Sequence, residues 1–471
     1  MHPSALAKRV YVFTFVIIIA FYLYGLGQLP LLGPDEPRYA QVAREMFLSG
    51  DYITPTLGGY TWFEKPSLLY WLIAVSFKVF GVNEWSARFG PALCGLLTIV
   101  AVAFVAREIK VGLSSLVVTA TCLGVIVFSR AASFDVVVTM TTTWSLAFFL
   151  LRELSKRRVY LIGFYSFVGL SLLAKGLVGV VIPFGVVGAY YSLRRAWPER
   201  SVWLSLIWGV PLALAVSAVW YGPVIAKHGW TFIDEFFVQH HFARYVSNKY
   251  HHPQPIYFYP AIILMLALPW TPFLVEALVK ARRWAWRDSD SLSIVRVFAL
   301  AWLLFPIVFF SFSGSKLPGY ILPALPAAAL LIADVLRPRK PALLISIACG
   351  TLVLVIIALT FFAGTYAHRE SVRDLIALGD ARGYANAPVL ALKSDDRSAE
   401  FYAYGRVVYN SQGEVVTFDE ISLSEARARG GKFLVLVPRE YVENYRGWES
   451  IEVIGDNGKT AILGWKLGQD L

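Results

Sequence analysis

The sequence predicts an α-helical polytopic membrane protein with a small α/β domain at its C-terminal end. Three observations lead there. Of 471 residues, 57% are apolar and only 16% are charged, against roughly 25% charged in a soluble chain. The apolar residues fall in long uncharged blocks, each near the ~20 residues that cross a bilayer. Charge and short β-type runs return only after Ala363. This composition excludes a disordered chain, a coiled coil and most soluble enzymes. The net charge of +11 comes from 43 Lys and Arg against 32 Asp and Glu. In a soluble protein that balance would suggest nucleic acid. Here the cations cluster between apolar blocks, so it reads as membrane topology and no nucleic-acid partner is expected. The cysteines, Cys94, Cys122 and Cys349, sit inside apolar blocks without metal-ligand spacing, so neither a disulfide framework nor a cysteine zinc motif is present.

The first span, Val10–Leu29, carries no charge and follows Lys8 and Arg9. It is too long for a signal-peptide core and lacks a small-residue cleavage site. Further blocks lie at Phe89–Ala106, Val111–Ser129, Val136–Leu151, Val159–Ala174, Gly176–Tyr191, Ser201–Ala226, Ile256–Val275, Val297–Ser315, Leu317–Ala333 and Pro341–Ala363. That makes about eleven spans. The block Pro66–Gly81 contains Lys78 and has only 16 residues, which suits a helix lying at the interface. The basic clusters support this choice. With the block outside the membrane, Arg107/Lys110, Arg152–Arg158, Arg194–Arg200, Lys280–Arg287 and Arg337–Lys340 all fall on the cytoplasmic side. The loops Pro30–Lys65, Arg130–Asp135, Lys227–Pro255 and Ser313–Tyr320 then face outside, as does the chain after the last span. The expected domains are therefore a membrane domain over 1–364 and an extracytoplasmic domain over 365–471.

In that last domain the β-type runs are Pro388–Lys393, Arg406–Tyr409, Lys432–Pro438, Ile451–Ile454 and Thr460–Trp465, with a helical pattern at Asp419–Arg429. Strands alternating with helix predict a small α/β unit. It lacks a nucleophile elbow, a phosphate loop and a His/carboxylate cluster, so it reads as a scaffold or recognition module.

The chemistry-bearing residues lie in the outside loops. Gly33-Pro34-Asp35-Glu36-Pro37-Arg38-Tyr39 places two acids directly after a membrane helix. Pro37 suits the first turn of a new helix, Pro37–Leu48, with both acids at its positive end. Capping accounts for such acids; so does a base or metal ligand aimed at a surface cavity. Glu64 and Lys65 stand between aromatic residues in Trp62-Phe63-Glu64-Lys65-Pro66. A lysine there can snorkel, or it can meet a lipid-borne phosphate at headgroup depth. Asp135 opens a span, where an acid is expensive unless functional or paired; Arg130 is the expected partner. Five of the seven histidines, His228, His240, His241, His251 and His252, lie with Arg244 in Lys227–Pro255. Their spacing matches no zinc signature. Ser313-Gly314-Ser315-Lys316-Leu317-Pro318-Gly319-Tyr320 joins a flexible turn to a cation and a phenol, with Pro323 and Pro326 kinking the span that follows.

In order and placement these segments resemble the polyprenyl-phosphate-sugar glycosyltransferases of the protein O-mannosyltransferase superfamily, and among them the aminoarabinose-to-lipid-A branch. The resemblance covers about residues 10–335. It rests on Pro34–Tyr39, Ala43-Arg44-Glu45-Met46, Phe63–Pro66 with Leu68-Leu69-Tyr70-Trp71, Arg130…Asp135, His241 with Arg244, and Ser315–Pro323. It implies the membrane-embedded glycosyltransferase fold called GT-C. It implies an inverting transfer of sugar from a polyprenyl (undecaprenyl) phosphate to an extracytoplasmic acceptor, with no nucleotide at the site. The acceptor would be lipid A, another glycolipid or a protein. By resemblance Asp35, Asp135 and Lys65 are catalytic. Lys65, Arg130, Lys316 and Tyr320 bind the donor phosphate, and Glu36, Arg38 and Arg244 support the loop or the acceptor. Glu64 and His241 hold a structural, zinc-like divalent metal. The implied location is the inner (plasma) membrane, with the site and the C-terminal domain on the periplasmic side. A lipid-linked-sugar transporter is the competing reading, but it would concentrate polar groups on broken helices near the midplane, and here they concentrate in outside loops.

Overall fold

The computed structural model of the chain describes residues 5–236, 254–392, 396–418, 431–448 and 451–467. The chain divides into two compact units. One comprises Met1–Tyr24, Phe63–Leu72 and Arg88–Val355; the other comprises Gly25–Trp62, Ile73–Ala87 and Ile356–Leu471.

Every apolar block is helical. In chain order the helices of the membrane part are α1 (Ala5–Leu23), α3 (Leu68–Phe80), α4 (Glu84–Ala106), α5 (Gly112–Thr121), α6 (Leu123–Ser129), α7 (Phe134–Ser155), α8 (Val159–Lys175), α9 (Val178–Arg194), α10 (Arg200–Ile233), α11 (Phe258–Leu266), α12 (Thr271–Ala281), α13 (Ser291–Ser311), α14 (Leu325–Leu336) and α15 (Pro341–Ile357), with α2 (Asp35–Ser49) between α1 and α3. Among the described residues, six helical stretches are long and apolar enough to cross a bilayer, or seven if the bent pair α5–α6 is one span. The sequence count of about eleven is larger for physical reasons. Three of its blocks form shorter apolar helices, at Arg9–Leu23, Val159–Lys175 and Val178–Arg194. A fourth, Ile256–Val275, is broken between α11 and α12. The block expected to lie at the interface, Pro66–Gly81, forms the short helix α3.

The bend in α5–α6 is 61°. It occurs because Cys122 is extended (φ −65°, ψ 127°). The Leu123 N–H then leaves the helical ladder and donates to the carbonyl of Leu268 at 2.8 Å. Pro318–Ala324 forms a tight 3₁₀ turn that leads into α14, the local consequence of Pro318 and Pro323.

Three antiparallel helices set the two ends of the first unit. Helix α7 begins beside Asp135, with the Ser133 Oγ accepting the Asp135 N–H at 3.1 Å, and runs to Arg152 and Glu153. Helix α8 returns to Lys175, and α9 leaves again to Arg194. Asp135 and Lys175 therefore share one end, and Arg152 and Arg194 share the other.

In the second unit α2 begins at Asp35, two residues earlier than the sequence predicts, and Pro37 lies in its first turn, where no N–H is needed. It stops at Gly50, whose φ of 71° a side chain would resist. The Glu45 carboxylate gathers the two-strand hairpin β1 (Thr56–Leu57) and β2 (Tyr60–Thr61). It accepts from the Thr56 hydroxyl at 2.7 Å and from the N–H groups of Gly58 and Gly59 at 2.8 and 3.2 Å. Arg44 donates to the Phe401 carbonyl at 3.1 Å and lies over the Tyr404 ring.

The C-terminal sheet contains β3 (Val389–Leu392), β4 (Thr417–Phe418), β5 (Gly431–Pro438), β6 (Ile451–Asp456) and β7 (Thr460–Leu467), in the order β4-β3-β5-β7-β6. Strand β3 runs parallel to β4 and β5, while β7 is antiparallel to β5 and β6. Val435, Val437, Leu463 and Trp465 form its core. Arg406–Tyr409 is not a full strand; Val407 and Tyr409 make isolated bridges. The helical pattern expected at Asp419–Arg429 lies outside the described residues.

Candidate active site

The chemistry of the first unit gathers at the Asp135 end. Lys175 forms an ion pair with the Asp135 carboxylate. Its ammonium also lies 4.8 Å from the centroid of the Tyr320 ring, a cation–π contact. All three side chains are partly accessible. Gly319 packs so closely on Asp135 that a Cβ at that position would collide with the carboxylate; the glycine lets the 3₁₀ turn approach α7. The Tyr259 hydroxyl reaches from α11 to the Leu317 carbonyl at 3.3 Å, fixing the same turn. Lys175 has three donors, so an anion can be bound there while the pair to Asp135 persists.

The expected partner of Asp135, Arg130, is engaged elsewhere. Its guanidinium donates to the carbonyls of Phe21 and Tyr24, at 3.2 and 2.5 Å. These are carbonyls at the end of α1, which lack helical partners. Burial, with Arg88 beside it, lowers the Arg130 guanidinium to about 10, so it stays charged at neutral pH. Lys175 takes the pairing role because α8 ends level with the start of α7. Sequence reading missed it: Lys175 fills the single position between two predicted spans, Val159–Ala174 and Gly176–Tyr191. The available signal was a lone cation at the same end as a lone acid.

Lys65 pairs with its neighbour Glu64 at 2.6 Å. Its segment is held by Phe63, whose ring meets His228 and Phe232 at 5.0 and 5.2 Å. Tyr70, just beyond it, packs edge-on against Phe134 at 5.3 Å, the residue before Asp135. The start of α3, which follows the Lys65 loop, therefore packs against the α7 start. Lys316 is almost buried and donates to the Ser313 carbonyl at 2.8 Å, so it closes its own turn.

In the second unit the two adjacent acids separate by environment. Glu36 is buried and accepts the Leu32 N–H at 2.8 Å, a loop-closing role. Asp35 is exposed on the first turn of α2. Arg38 lies over the Trp62 ring and 3.8 Å from Glu400. Burial raises the Glu400 carboxyl above the usual range, against the opposing effect of Arg397 and Arg38.

His241 and Arg244 lie outside the described residues. Among the described residues no group of three or more His, Cys, Asp or Glu can hold a metal ion. Glu64, the described half of the expected metal pair, is paired with Lys65.

The fold and these ends define a class: a polytopic membrane protein of the GT-C type. Its backbone superposes on the crystal structure of ArnT from Cupriavidus metallidurans bound to undecaprenyl phosphate with a TM-score of 0.76, covering 96% of this chain and 98% of that one at 23% identity. The apo structure of the same protein gives 0.80, covering 97% and 98% at 21% identity. The profile of the dolichyl-phosphate-mannose-protein mannosyltransferase family matches residues 64–221. The undecaprenyl phosphate-α-4-amino-4-deoxy-L-arabinose arabinosyl transferase of Aeromonas salmonicida is 30% identical over 347 residues, 69% of this chain and 60% of that protein. The enzyme of that name from Pseudomonas aeruginosa is 32% identical over 329 residues, 68% and 58%. This chain is thus similar in sequence to the aminoarabinose transferases and, over residues 64–221, to the mannosyltransferase family, and it has the GT-C fold of ArnT. It spans about three-fifths of the length of these curated relatives.

Proposed function

We propose that the protein is a glycosyltransferase that moves a sugar from undecaprenyl phosphate, or a similar polyprenyl phosphate, to an extracytoplasmic glycolipid such as lipid A, with inversion. One observation carries the reading: Lys175 is held between the Asp135 carboxylate and the Tyr320 ring, at the end of the GT-C bundle where the start of α3, just after the Lys65 loop, packs on Phe134. Cations at membrane-surface depth suit a lipid-borne phosphate that gains charge as it departs. An acceptor oxygen attacks the anomeric carbon, the bond from that carbon to the phosphate oxygen breaks, and the polyprenyl phosphate leaves with the electron pair. Lys65 and Lys175 stabilise the developing charge, and Tyr320 keeps the Lys175 ammonium in place. Asp35 receives the proton when the acceptor is a hydroxyl; a lipid A phosphate is already anionic, and Asp35 then orients it. The apolar span walls take the isoprenoid. Glu36 and Arg38 support the loop that presents Asp35, with Arg244 on the acceptor side. Arg130 and Lys316 add positive charge near the donor while anchoring their own segments.

The experiment is mass spectrometry of lipid extracts from cells with and without the gene. The reading expects a pentose, aminosugar or hexose mass on lipid A or another glycolipid that disappears with the gene. Unchanged glycolipids with altered glycoproteins would favour a protein acceptor, a second reading that the mannosyltransferase profile over residues 64–221 supports.

The site faces the periplasm in this account, because the basic clusters mark the opposite end of the helices as cytoplasmic. A phosphatase reporter fused after Leu471 is expected to be active; activity of a cytoplasm-only reporter at that position instead would reverse the orientation. Glu64 and His241 together bind a divalent, zinc-like ion that ties the first loop to the histidine loop. Elemental analysis should find the metal in the wild type and less in Glu64→Ala and His241→Ala; equal content in all three would remove the ion from the account.

A further inference from the structure

The first unit contains a hollow at its basic end, remote from the Asp135 site. The stretch of α7 from Asp135 to Phe149 separates the two by roughly 21 Å at ~1.5 Å per residue. The hollow has a volume of about 580 Å³ and is walled by α8, α9, the 195–198 turn and the start of α10, with Phe149 of α7 at its side. Aromatic rings dominate it, among them Phe164, Tyr165, Phe184, Tyr191 and Trp203. The two phenols add little polarity, because their hydroxyls are already engaged. Tyr191 donates to Glu153 at 2.8 Å, and the Tyr165 hydroxyl bonds that of Ser205 at 2.9 Å.

The rim is cationic. Arg195 lines it, is exposed, and sits at the end of α9 in a left-handed conformation (φ 50°). Its side chain makes no hydrogen bond or ion pair among the described residues. The adjacent Arg194 is turned to its own neighbours, donating to the Tyr190 hydroxyl at 3.3 Å and to the carbonyls of Arg287 and Asp288 at 3.0 and 2.9 Å. Two acids lie beside the rim and both are paired with cations: Glu199 with Arg152 at 2.7 Å and Lys156 at 2.9 Å, and Glu153 with Arg152. Arg158 and Arg200, both exposed, lie at the same helix ends.

We propose that this hollow is a binding site for an anionic phospholipid, with one acyl chain among the aromatic rings and the headgroup phosphate on Arg195. The chemistry fits both halves of such a molecule. A ring-lined space opening beside the exposed Trp203 and Ile207 of α10 favours hydrocarbon over water. A basic rim between membrane helices attracts anionic headgroups.

Gly188 lines the hollow, and a Cβ there would meet nothing within 4 Å. Gly188→Phe therefore projects a ring toward the space from a position where its first side-chain carbon meets no neighbour. Delipidated full-length protein would be titrated with phosphatidylglycerol, phosphatidylcholine and undecaprenyl phosphate, and the first bound lipid followed by native mass spectrometry. The wild type is expected to prefer phosphatidylglycerol over phosphatidylcholine by about five-fold, the ~1 kcal/mol that one arginine contributes at an anionic surface. Arg195→Ala should abolish that preference, and Gly188→Phe should weaken both phospholipids. Equal wild-type affinity for the two phospholipids, or wild-type binding by Gly188→Phe, would overturn the proposal. So would binding of undecaprenyl phosphate alone, which would give the hollow to the carrier lipid. Should Gly188→Phe fail to fold, the Arg195→Ala comparison decides.

Discussion

Sugar transfer falls by about 10²–10³-fold when Lys65 is replaced by alanine, the usual loss when one group aimed at developing charge is removed. The effect appears in kcat, because the phosphate carries its full charge only as the sugar leaves. Lys65→Arg keeps the charge but not the compact ammonium, and recovers part of the rate. Asp35→Asn gives a second loss, and its size depends on the acceptor. With a hydroxyl acceptor about 10²–10⁴-fold is expected, the value of a positioned base; with a phosphate acceptor the loss is smaller. Both variants should insert and fold normally, since Asp35 is exposed and Lys65 lies in a loop before α3. Full activity of Lys65→Ala in proteoliposomes, at wild-type protein levels, would remove the lysine from the mechanism.

The second large effect concerns Asp135 and Lys175. Each of Asp135→Asn and Lys175→Met breaks the ion pair, the second also removing the cation from the Tyr320 ring, and each should lower transfer by about 10²-fold. The double variant should be little worse than either single one, with a coupling of about 1–3 kcal/mol, because contacting residues act as a unit. Side-chain exposures of 15% and 19% leave the pair partly solvated, so the coupling belongs in activity more than in stability. Gly319→Ala should reproduce part of the loss by pushing on the Asp135 carboxylate. Losses that multiply in the double variant would mean that the two residues serve separate steps.

Much of this architecture was legible in the sequence, because lipid leaves a chain few choices. Uncharged blocks become helices, and every block read from Val10 to Ala363 is built of one helix or two. Helix length within those blocks was not legible. The break at Cys122 and the division of Ile256–Val275 depend on which carbonyl captures a freed N–H, as Leu268 captures Leu123, and hydropathy carries no trace of that. The strands β3, β5, β6 and β7 follow from the short β-type runs that reappear after the last span, while the two-residue β4 is too short to announce itself.

At the site, the acids Asp35 and Asp135 stand out because charge is rare near membrane helices. Their partners do not. Arg130 seemed the natural mate of Asp135 by proximity in sequence, yet it serves the end of α1, more than a hundred positions away in the chain. Lys175 was hidden between two spans. Motif residues such as Arg44 and Glu45 also turn out to hold structure, on Phe401 and on the β1–β2 hairpin, and a motif alone does not distinguish holding from reacting.

The central claim is that sugar leaves a polyprenyl phosphate at the Asp135–Lys175–Lys65 end of the bundle. Its most direct test is a transfer assay with purified full-length protein in proteoliposomes, supplied with an undecaprenyl-phosphate-linked aminosugar or hexose and with lipid A. The account predicts sugar on the acceptor with inverted anomeric configuration, stoichiometric release of undecaprenyl phosphate, and neither product with Lys65→Ala or Lys175→Met. Release and transfer at wild-type rates in both variants, or transfer that requires a nucleotide sugar, would contradict it.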